Sequence, residues 1–290
     1  MANLKEVRIR IASITSTQQI TKAMKLVSAT KLRKAQNAIV QMRPYAQKLS
    51  GILANLSDSV DVDSVKIFFQ PRPVQNVLLV SITSDRGLCG SFNANVNKLA
   101  IRLSKEKYAG KKVTILTIGK KGNDFVARTG LPHIDTYREL FHNLKAEAGF
   151  DLGVYLLDEF RKGKYDAIEI VYNQFKNAAT QILSNEQFLP IDPTAMKGVK
   201  SQKNDFLFEP SKEEILGTLI PQILKTQIYR SLLDSFASEH GARMVAMDKA
   251  TDNAGELLKS LRIEYNRARQ AAITTEISEI VGGAAALSGK

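Results

Sequence analysis

The sequence is poor in the residues that secretion and many kinds of catalysis require. Its 290 residues include one cysteine, three histidines and no tryptophan. A single cysteine excludes an internal disulfide and is typical of a reducing compartment. No apolar run approaches the roughly 18 residues that span a bilayer, and no secretory signal is visible. We therefore expect a soluble, intracellular chain.

Recognisable catalytic motifs are missing as well. His133, His142 and His240 lack the spacing of metal ligands, and Cys89 has no histidine nearby in the sequence. Neither GxSxG nor HExxH occurs. We infer that the chain performs no chemistry itself and needs no cofactor.

Proline and glycine are scarce at both ends of the chain, over residues 3–56 and 211–281. Apolar residues there recur at helical spacing, as in Leu4, Val7 and Ile11. The pattern predicts two very long amphipathic helices that fold back on each other as an antiparallel coiled coil.

Capping patterns predict where both helices begin. Asn3 is followed by Glu6, and Ser211 is followed by Glu214, so each pair has the spacing of a capping box. Each helix also contains one internal proline, which removes an amide donor and is expected to bend or interrupt the helix. These prolines are Pro44 and Pro221.

Positive charge is concentrated at the N-terminus. The chain carries a net charge of +12, and residues 1–57 hold ten basic side chains against Glu6 alone. A mitochondrial presequence is also basic, but this pattern continues for about fifty residues without a cleavage-like boundary. Two interpretations of the basic helix face stay open: a solvated surface, or contact with an acidic protein or polyanion.

The C-terminal helix is predicted to be longer than its partner. At about 1.5 Å per residue it spans roughly 90 Å, against roughly 60 Å for residues 3–42. Its overhanging end, residues 271–287, is small and apolar on most faces. Such a segment is either a frayed tail or an insertion into a close-fitting apolar socket.

The middle of the chain alternates apolar runs with helical patterns, which indicates an α/β domain. The fold class is therefore α/β, with a long antiparallel coiled coil and an inserted Rossmann-like domain whose sheet is mainly parallel. The predicted strands are 74–83, 113–118, 167–172, 180–189 and 206–208, and the predicted helices are 93–107 and 153–161. The predicted division is 1–57 and 211–290 for the coiled-coil helices, 74–190 for the globular domain, and 191–210 for a loop and short strand.

A glycine-containing turn follows the first predicted strand, over residues 84–93. A phosphate site would lie at such a position, between a strand and a helix. Its glycines, Gly87 and Gly90, match neither GxxxxGK[ST] nor GxGxxG. The turn is therefore interpreted as structural.

Several long stretches of the chain have a specific order of residues. They are Ile20–Met24 with Leu32–Lys34 and Arg43–Tyr45; Ser84–Gly90 with Phe92–Asn93; and Ala237–His240, Ala242–Met247, Ala250–Ala254, Tyr265–Thr274, Glu276–Ile277 and Glu279–Val281. In these stretches the chain resembles the gamma subunit of the rotary, F-type ATP synthase, in its bacterial form. The resemblance covers nearly the whole chain.

The resemblance implies a peripheral, non-catalytic central rotor stalk on the cytoplasmic face of the bacterial inner membrane. In that family the coiled coil lies inside a ring of alpha and beta subunits. The globular domain docks on the epsilon subunit and on the membrane c-subunit ring. Rotation driven by proton flow then takes the beta-subunit catalytic sites through different affinities, and the subunit regulates ATPase activity and proton flow.

Site residues follow from the same resemblance. Met24, Arg269 and Gln270 match positions at the rotor–beta contact, and Arg8 and Arg10 lie on the same basic helix. No nucleic-acid partner, cofactor or metal is expected.

Two departures and two rival interpretations accompany this resemblance. Gly241 stands where the family usually has alanine, and Ser91 stands where a third glycine is common. The plant plastid form has an inserted cysteine pair for redox control, and with Cys89 alone that regulation is not expected here. A DNA-binding coiled coil would fit the pI of about 9.6, but aromatic residues are not interleaved with the basic ones. A nucleotide-dependent enzyme would need a different glycine turn.

Overall fold

The computed structural model describes residues 4–56, 66–191 and 212–289. The predicted cap residues Asn3 and Ser211, the short strand at 206–208 and most of the loop before it lie outside these ranges. In chain order, the described helices and strands are α1 (Leu4–Leu56), β1 (Asn76–Ile82), α2 (Phe92–Lys105), β2 (Lys112–Ile118), α3 (Lys120–Val126), β3 (His133–Ile134), α4 (Ala146–Arg161), β4 (Ala167–Phe175), β5 (Gln181–Leu189) and α5 (Lys212–Ser288).

The long terminal helices are confirmed, and both continue through their internal prolines. Helix α1 has 53 residues and includes Pro44, while α5 has 77 residues and includes Pro221. Pro221 therefore does not interrupt its helix. Within the described ranges, no helix combines the length and the apolarity that crossing a membrane requires.

The chain forms two compact units. One consists of residues 1–27 and 244–290, and the other of residues 28–243. Both divisions fall inside a long helix, so α1 and α5 each contribute to both units. The first is called here the paired-helix unit and the second the sheet unit.

The sheet unit contains five strands in the order β3-β2-β1-β4-β5. Strand β1 pairs in parallel with both β2 and β4, β2 pairs in parallel with β3, and β5 is antiparallel to β4. The chain passes from β1 through α2 to β2 on one side of β1, whereas β4 lies on the other side of β1. The order therefore reverses between β1 and β4, as in doubly wound α/β folds.

Helices cover both faces of this sheet. Side chains of β1 alternate: Leu78 and Val80 pack in a cluster with α4 and α5, whereas Val77 and Leu79 pack in a second cluster that includes residues of α2. Because both faces are buried, the strand reads in sequence as a continuous apolar run rather than as an alternating one. The mainly parallel, Rossmann-like sheet is thus confirmed.

Two short elements were not predicted from the sequence. Strand β3 has only two residues, and α3 contains a glycine and three charged residues. The chain before α3 is fixed by close packing, because a Cβ on Gly119 would lie 2.3 Å from the Thr83 carbonyl oxygen. Gly119 also has a φ of 91°, a conformation that glycine adopts readily. Such tertiary contacts leave no periodic signal in the sequence.

Candidate partner-binding surfaces

The paired-helix unit is an antiparallel pair in fixed register. Lys25 Nζ lies 2.5 Å from Asp248 Oδ1, and Arg8 Nη2 donates a 3.3 Å hydrogen bond to the Tyr265 hydroxyl. Arg8 and Lys25 are 17 residues apart on α1, and their partners Tyr265 and Asp248 are 17 residues apart in the opposite direction on α5. This register confirms the predicted antiparallel coiled coil.

Apolar residues form the seam between these helices. On α5 the buried residues Ala254, Leu258 and Leu261 are spaced four and three apart, as in a coiled-coil seam. On α1, Val7 is 1% exposed, although neighbouring Ile9 is 59% exposed. Burial therefore selects one face of each helix.

The C-terminal end of α5 has no counterpart within the described residues of α1. The register places Leu4, where α1 begins, opposite about Arg269. Every residue from 269 to 284 is exposed. The apolar side chains among them include Ile277, Ile280 and Val281, which are 55%, 71% and 61% exposed. An exposed apolar surface of this kind is a candidate site for binding a partner.

The predicted contact residues fall into two groups in this unit. Arg8 bonds to Tyr265, one helical turn before the exposed Arg269 and Gln270, so these three residues lie near the end of the paired segment. Arg10 is exposed on α1. Met24 is half-buried and lies about 24 Å along α1 from Arg8, given about 1.5 Å per residue. The structure therefore does not bring Met24 into the same patch.

The basic side chains of α1 are mostly accessible. Lys25 is compensated by Asp248, but other basic residues of the central part of α1 are exposed. They are Lys22, Lys31, Arg33 and Lys34. The helix thus presents positive charge that an acidic surface would complement.

In the sheet unit, the turn after β1 is held by its own hydrogen bonds. The Ser84 hydroxyl donates to the Arg86 carbonyl at 2.7 Å, and the Ser84 amide donates to Asn93 Oδ1 at 2.9 Å. Leu88 has a φ of 62° and is 65% exposed, so the turn presents a large apolar side chain in a conformation unusual for leucine. These contacts agree with the predicted structural turn.

Side chains of α5 and β4 contact the region where a doubly wound fold binds ligands, at the strand ends of the switch point. Arg243 Nη2 donates to the Arg86 carbonyl at 2.8 Å and to the Gly87 carbonyl at 3.3 Å. From β4, Asn173 Nδ2 donates to the Phe92 carbonyl at 3.2 Å. Side chains of this chain therefore bond to the groups that would line a ligand crevice there.

A buried ion pair holds Arg243 in this position. Arg243 Nη1 lies 2.6 Å from Glu239 Oε1, and both residues are 6% exposed. Their spacing of four residues places them on one face of α5. Burial raises the pKa of Glu239, and the charge of Arg243 opposes that rise.

His240 completes this cluster as a neutral imidazole. Arg243 Nη1 lies 3.3 Å from His240 Nδ1, and because a guanidinium can only donate, Nδ1 is the acceptor. Burial, with the charges of Arg243 and Lys31, lowers the pKa of His240 to about 3. Nε2 then carries the proton, and it has no hydrogen-bond partner among the described residues. The ring instead packs edge-on against Phe236 at 4.4 Å.

The cluster of Glu239, His240 and Arg243 was not singled out as a site from the sequence. The i, i+4 spacing of Glu239 and Arg243 was visible, but many exposed helical pairs share it. The distinguishing fact is that Arg243 bonds to carbonyls more than 150 residues earlier in the chain. Sequence periodicity contains no record of that contact.

Comparison with known proteins gives the family. A family model described as ATP synthase matches residues 3–287. The chain is 56% identical over 289 residues to the ATP synthase gamma chain of Flavobacterium psychrophilum, and the alignment covers 100% of both chains. It is 52% identical over 294 residues to the ATP synthase gamma chain of Cytophaga hutchinsonii, covering 99% of this chain and 100% of that one.

Solved structures agree at the level of the fold. A chain of the Tetrahymena thermophila mitochondrial ATP synthase central stalk and c ring matches with a TM-score of 0.59 and 25% identity, covering 80% of this chain and 99% of that one. A chain of the Euglena gracilis mitochondrial ATP synthase matches with a TM-score of 0.67 and 23% identity, covering 98% and 94%. With a full-length relative at 56% identity and a family model across nearly every residue, the chain belongs to the family of ATP synthase gamma chains.

Proposed function

We propose that this chain is the central rotor stalk of an F-type ATP synthase, coupling ion-driven rotation of the membrane c ring to conformational cycling of the beta-subunit catalytic sites. The observation that carries the proposal is the helix pair whose longer member extends, exposed and apolar, beyond its partner. The Tetrahymena chain of similar fold belongs to a structure of a central stalk with a c ring, which supports the same role.

The paired helices suit the transmission of torque. Side-chain contacts cross between them at Arg8, Gln18, Thr21 and Lys25, so the two helices are joined at intervals. The exposed surface of the pair includes both basic groups and apolar residues such as Ile20, and it is not the same all round. A shaft whose faces differ presents a different surface to each beta subunit as it turns, and differential contact is what shifts a site between conformations.

Catalysis is assigned to the partner subunits. The switch-point turn of the sheet unit bonds to Arg243 of α5, which bonds in turn to Glu239. The carbonyls of that turn are thus occupied by contacts within the chain. We therefore assign no catalytic role to this chain. We expect it to regulate ATPase activity and proton flow through its rotational position inside the ring of alpha and beta subunits.

The proposed partners are the alpha and beta subunits around the paired helices, and the epsilon subunit and c ring at the globular domain of residues 74–190. Exposed lysines and arginines of α1 would face acidic surfaces of the beta subunits. The proposed location is the cytoplasmic face of the bacterial inner membrane, as a peripheral subunit, in keeping with bacterial relatives.

The test is rotation of the assembled complex with altered contact residues. Replacing Arg269 and Gln270 by leucine should slow ATP-driven rotation and weaken its coupling to ion transport, because two exposed polar groups at the end of the paired segment are lost. Single-molecule rotation and proton pumping by reconstituted complexes measure both effects. Arg8 and Arg10 are proposed to contribute to the same contact with beta, and Met24 is proposed to contact beta at a separate place along α1.

The matched control is Arg262→Leu, which removes an exposed arginine from the same helix, two turns earlier. Equal slowing by this control would mean that loss of charge alone explains the result. Assembled complexes in which Arg269→Leu with Gln270→Leu rotates and pumps like the unaltered chain would remove these two residues from the contact.

A further inference from the structure

A cavity of about 720 Å³ lies at the edge of the sheet where β1 and β2 begin. The last turn of α2 and the segments that lead into β3 and β4 complete its walls. Its volume falls within the range of about 300–1,000 Å³ that small-molecule pockets occupy. The Ser84–Asn93 turn follows the opposite end of β1, so this cavity is separate from the surfaces described above.

The floor of the cavity is apolar. Val113 and Tyr165 are 7% and 5% exposed, and Ile101 and Leu131 are partly buried against the second core cluster. An apolar or flat ligand body placed here would cover the parts of Ile101 and Leu131 that are still exposed. Removing that apolar surface from water favours binding.

The charged side chains around the floor are all of one sign. Four lysines line the cavity, and no aspartate or glutamate is among the lining residues that the structure describes. Lys164 bonds to Glu159, which lies outside the cavity. Lys105, Lys111 and Lys112 form no ion pair within residues 66–191 or elsewhere in the described chain. Three uncompensated ammonium groups thus surround the opening.

Three nearby polar groups of other kinds are already bonded. The hydroxyls of Ser104 and Thr129 donate to backbone carbonyls of their own helical turns, at 2.8 and 2.7 Å. The amide of Asn76 donates to Asp166 Oδ2 at 2.8 Å. The remaining polar side chains that a ligand would meet are those of Asn76, Thr114 and Tyr165 and the lysine ammonium groups. The ammonium groups bind anions through charge-assisted hydrogen bonds.

We propose that this cavity binds a small organic anion in which a phosphate or carboxylate group is joined to an apolar body of about nucleotide size. The apolar body lies against Ile101, Leu131 and Tyr165, and the anionic group faces Lys105, Lys111 and Lys112. Nucleoside phosphates and short alkyl phosphates share this chemistry. The site is a property of the sheet unit and does not depend on the proposed rotor function.

Methyl NMR on the full chain tests the proposal, because Ile101, Val113 and Leu131 each place methyl groups in the wall. We expect ADP, hexyl phosphate or both to shift these resonances at concentrations up to about 1 mM, and inorganic phosphate to shift them less. A response to ADP alone identifies a nucleoside phosphate, and a response to hexyl phosphate alone identifies an alkyl phosphate. If neither probe shifts these resonances, the proposal is overturned.

Lysine variants test the anionic half of the proposal. Replacing Lys105, Lys111 and Lys112 together by glutamine should weaken binding of the effective probe by about tenfold at low salt, since each exposed ion pair contributes modestly. The control replaces Lys98, Lys145 and Lys176, which are exposed elsewhere on the sheet unit, and removes the same net charge. Equal losses in the two triple variants would reduce the effect to overall charge and overturn a specific lysine site.

Discussion

The two compact units use the single helix α5 in different ways. In the sheet unit its residues are buried on nearly every face, as in the continuous run Ser231–Ser235. In the paired-helix unit burial is confined to a narrow set of positions, and it ends before residue 269. Those positions are Met247, Ala254, Leu258 and Leu261.

The difference indicates where each part of the helix obtains its stability. Isolated helices are marginal in water, so most helical stability comes from tertiary packing. The sheet supplies that packing on many sides, α1 supplies it on one side, and residues 269–283 are exposed. The exposed end is therefore the part of α5 that tertiary packing stabilises least.

The largest expected effect lies in the sheet unit, at the buried ion pair. Replacing Arg243 by methionine removes the bonds to the Arg86 and Gly87 carbonyls and leaves Glu239 buried without its partner. Breaking a buried pair in this way costs about 3–5 kcal/mol of unfolding free energy. Urea denaturation of the full chain, followed by tyrosine fluorescence, measures the loss.

Lys121→Met is the matched control for this substitution. Lys121 and Asp124 form a pair at 3.7 Å whose side chains are 46% and 53% exposed, so its loss should cost less than about 1 kcal/mol. If Arg243→Met proved as mild as the control, the buried pair would not be what fastens α5 to the turn.

In the paired-helix unit, the largest effect is expected at the seam. Leu261 is 4% exposed and Ile263, two residues on, is 56% exposed. Leu261→Ala should destabilise this unit by about 2–4 kcal/mol through lost burial and a residual cavity. Ile263→Ala should cost less than about 0.5 kcal/mol. Thermal unfolding followed by helical circular dichroism compares the two, and equal costs would contradict a one-sided seam.

Sequence periodicity was sufficient for the parts of the fold that repeat. Apolar residues at helical spacing, such as Leu4, Val7 and Ile11, predicted the helix pair, and the apolar run of β1 predicted a buried parallel strand. The overhang was also expected, because the C-terminal helical pattern is longer than the N-terminal one. These features follow from local spacing, which a sequence records directly.

Features that depend on single long-range contacts were not predicted. The carbonyl contacts of Arg243 and the close approach of Gly119 to Thr83 join residues far apart in the chain. The contact residues Met24, Arg269 and Gln270 came from family resemblance, and their role stays a prediction. The separation of about 24 Å between Met24 and Arg8 along α1 follows from the rise per residue, so it could be predicted once the helix was.

A smaller effect is expected from the buried imidazole of the sheet unit. His240 has its pKa lowered to about 3, whereas an unfolded histidine titrates near 6.5. Below pH 6.5 the unfolded state therefore binds a proton that the folded state does not, and stability falls as pH falls. Between pH 6.5 and 5 this group alone should remove about 2 kcal/mol.

His240→Gln isolates that contribution, since the glutamine oxygen can still accept from Arg243 without titrating. The unfolding free energy of this variant should fall less between pH 6.5 and 5 than that of the unaltered chain. Identical pH profiles for the two proteins would show that His240 is not held neutral in the folded state. Glu239 acts in the opposite direction, because its pKa is raised on folding, so the comparison between variants is more informative than either absolute slope.

The smallest expected effects on stability come from replacing one helical glycine of each unit by alanine. A Cβ at Gly255 would meet only the end of the Gln18 side chain at 3.1 Å, whereas a Cβ at Gly241 would meet the Ala178 backbone at 3.2 Å. Alanine is favoured over glycine in a helix by about 1 kcal/mol, so Gly255→Ala should stabilise the paired-helix unit by about that amount. Gly241→Ala should gain less, because the backbone of the turn at Ala178 must move by a few tenths of an ångström. Thermal unfolding of the two variants measures both changes in stability. A larger gain at Gly241 than at Gly255 would mean that the backbone at Ala178 moves more easily than the Gln18 side chain. That result would contradict the tighter packing inferred for the sheet unit.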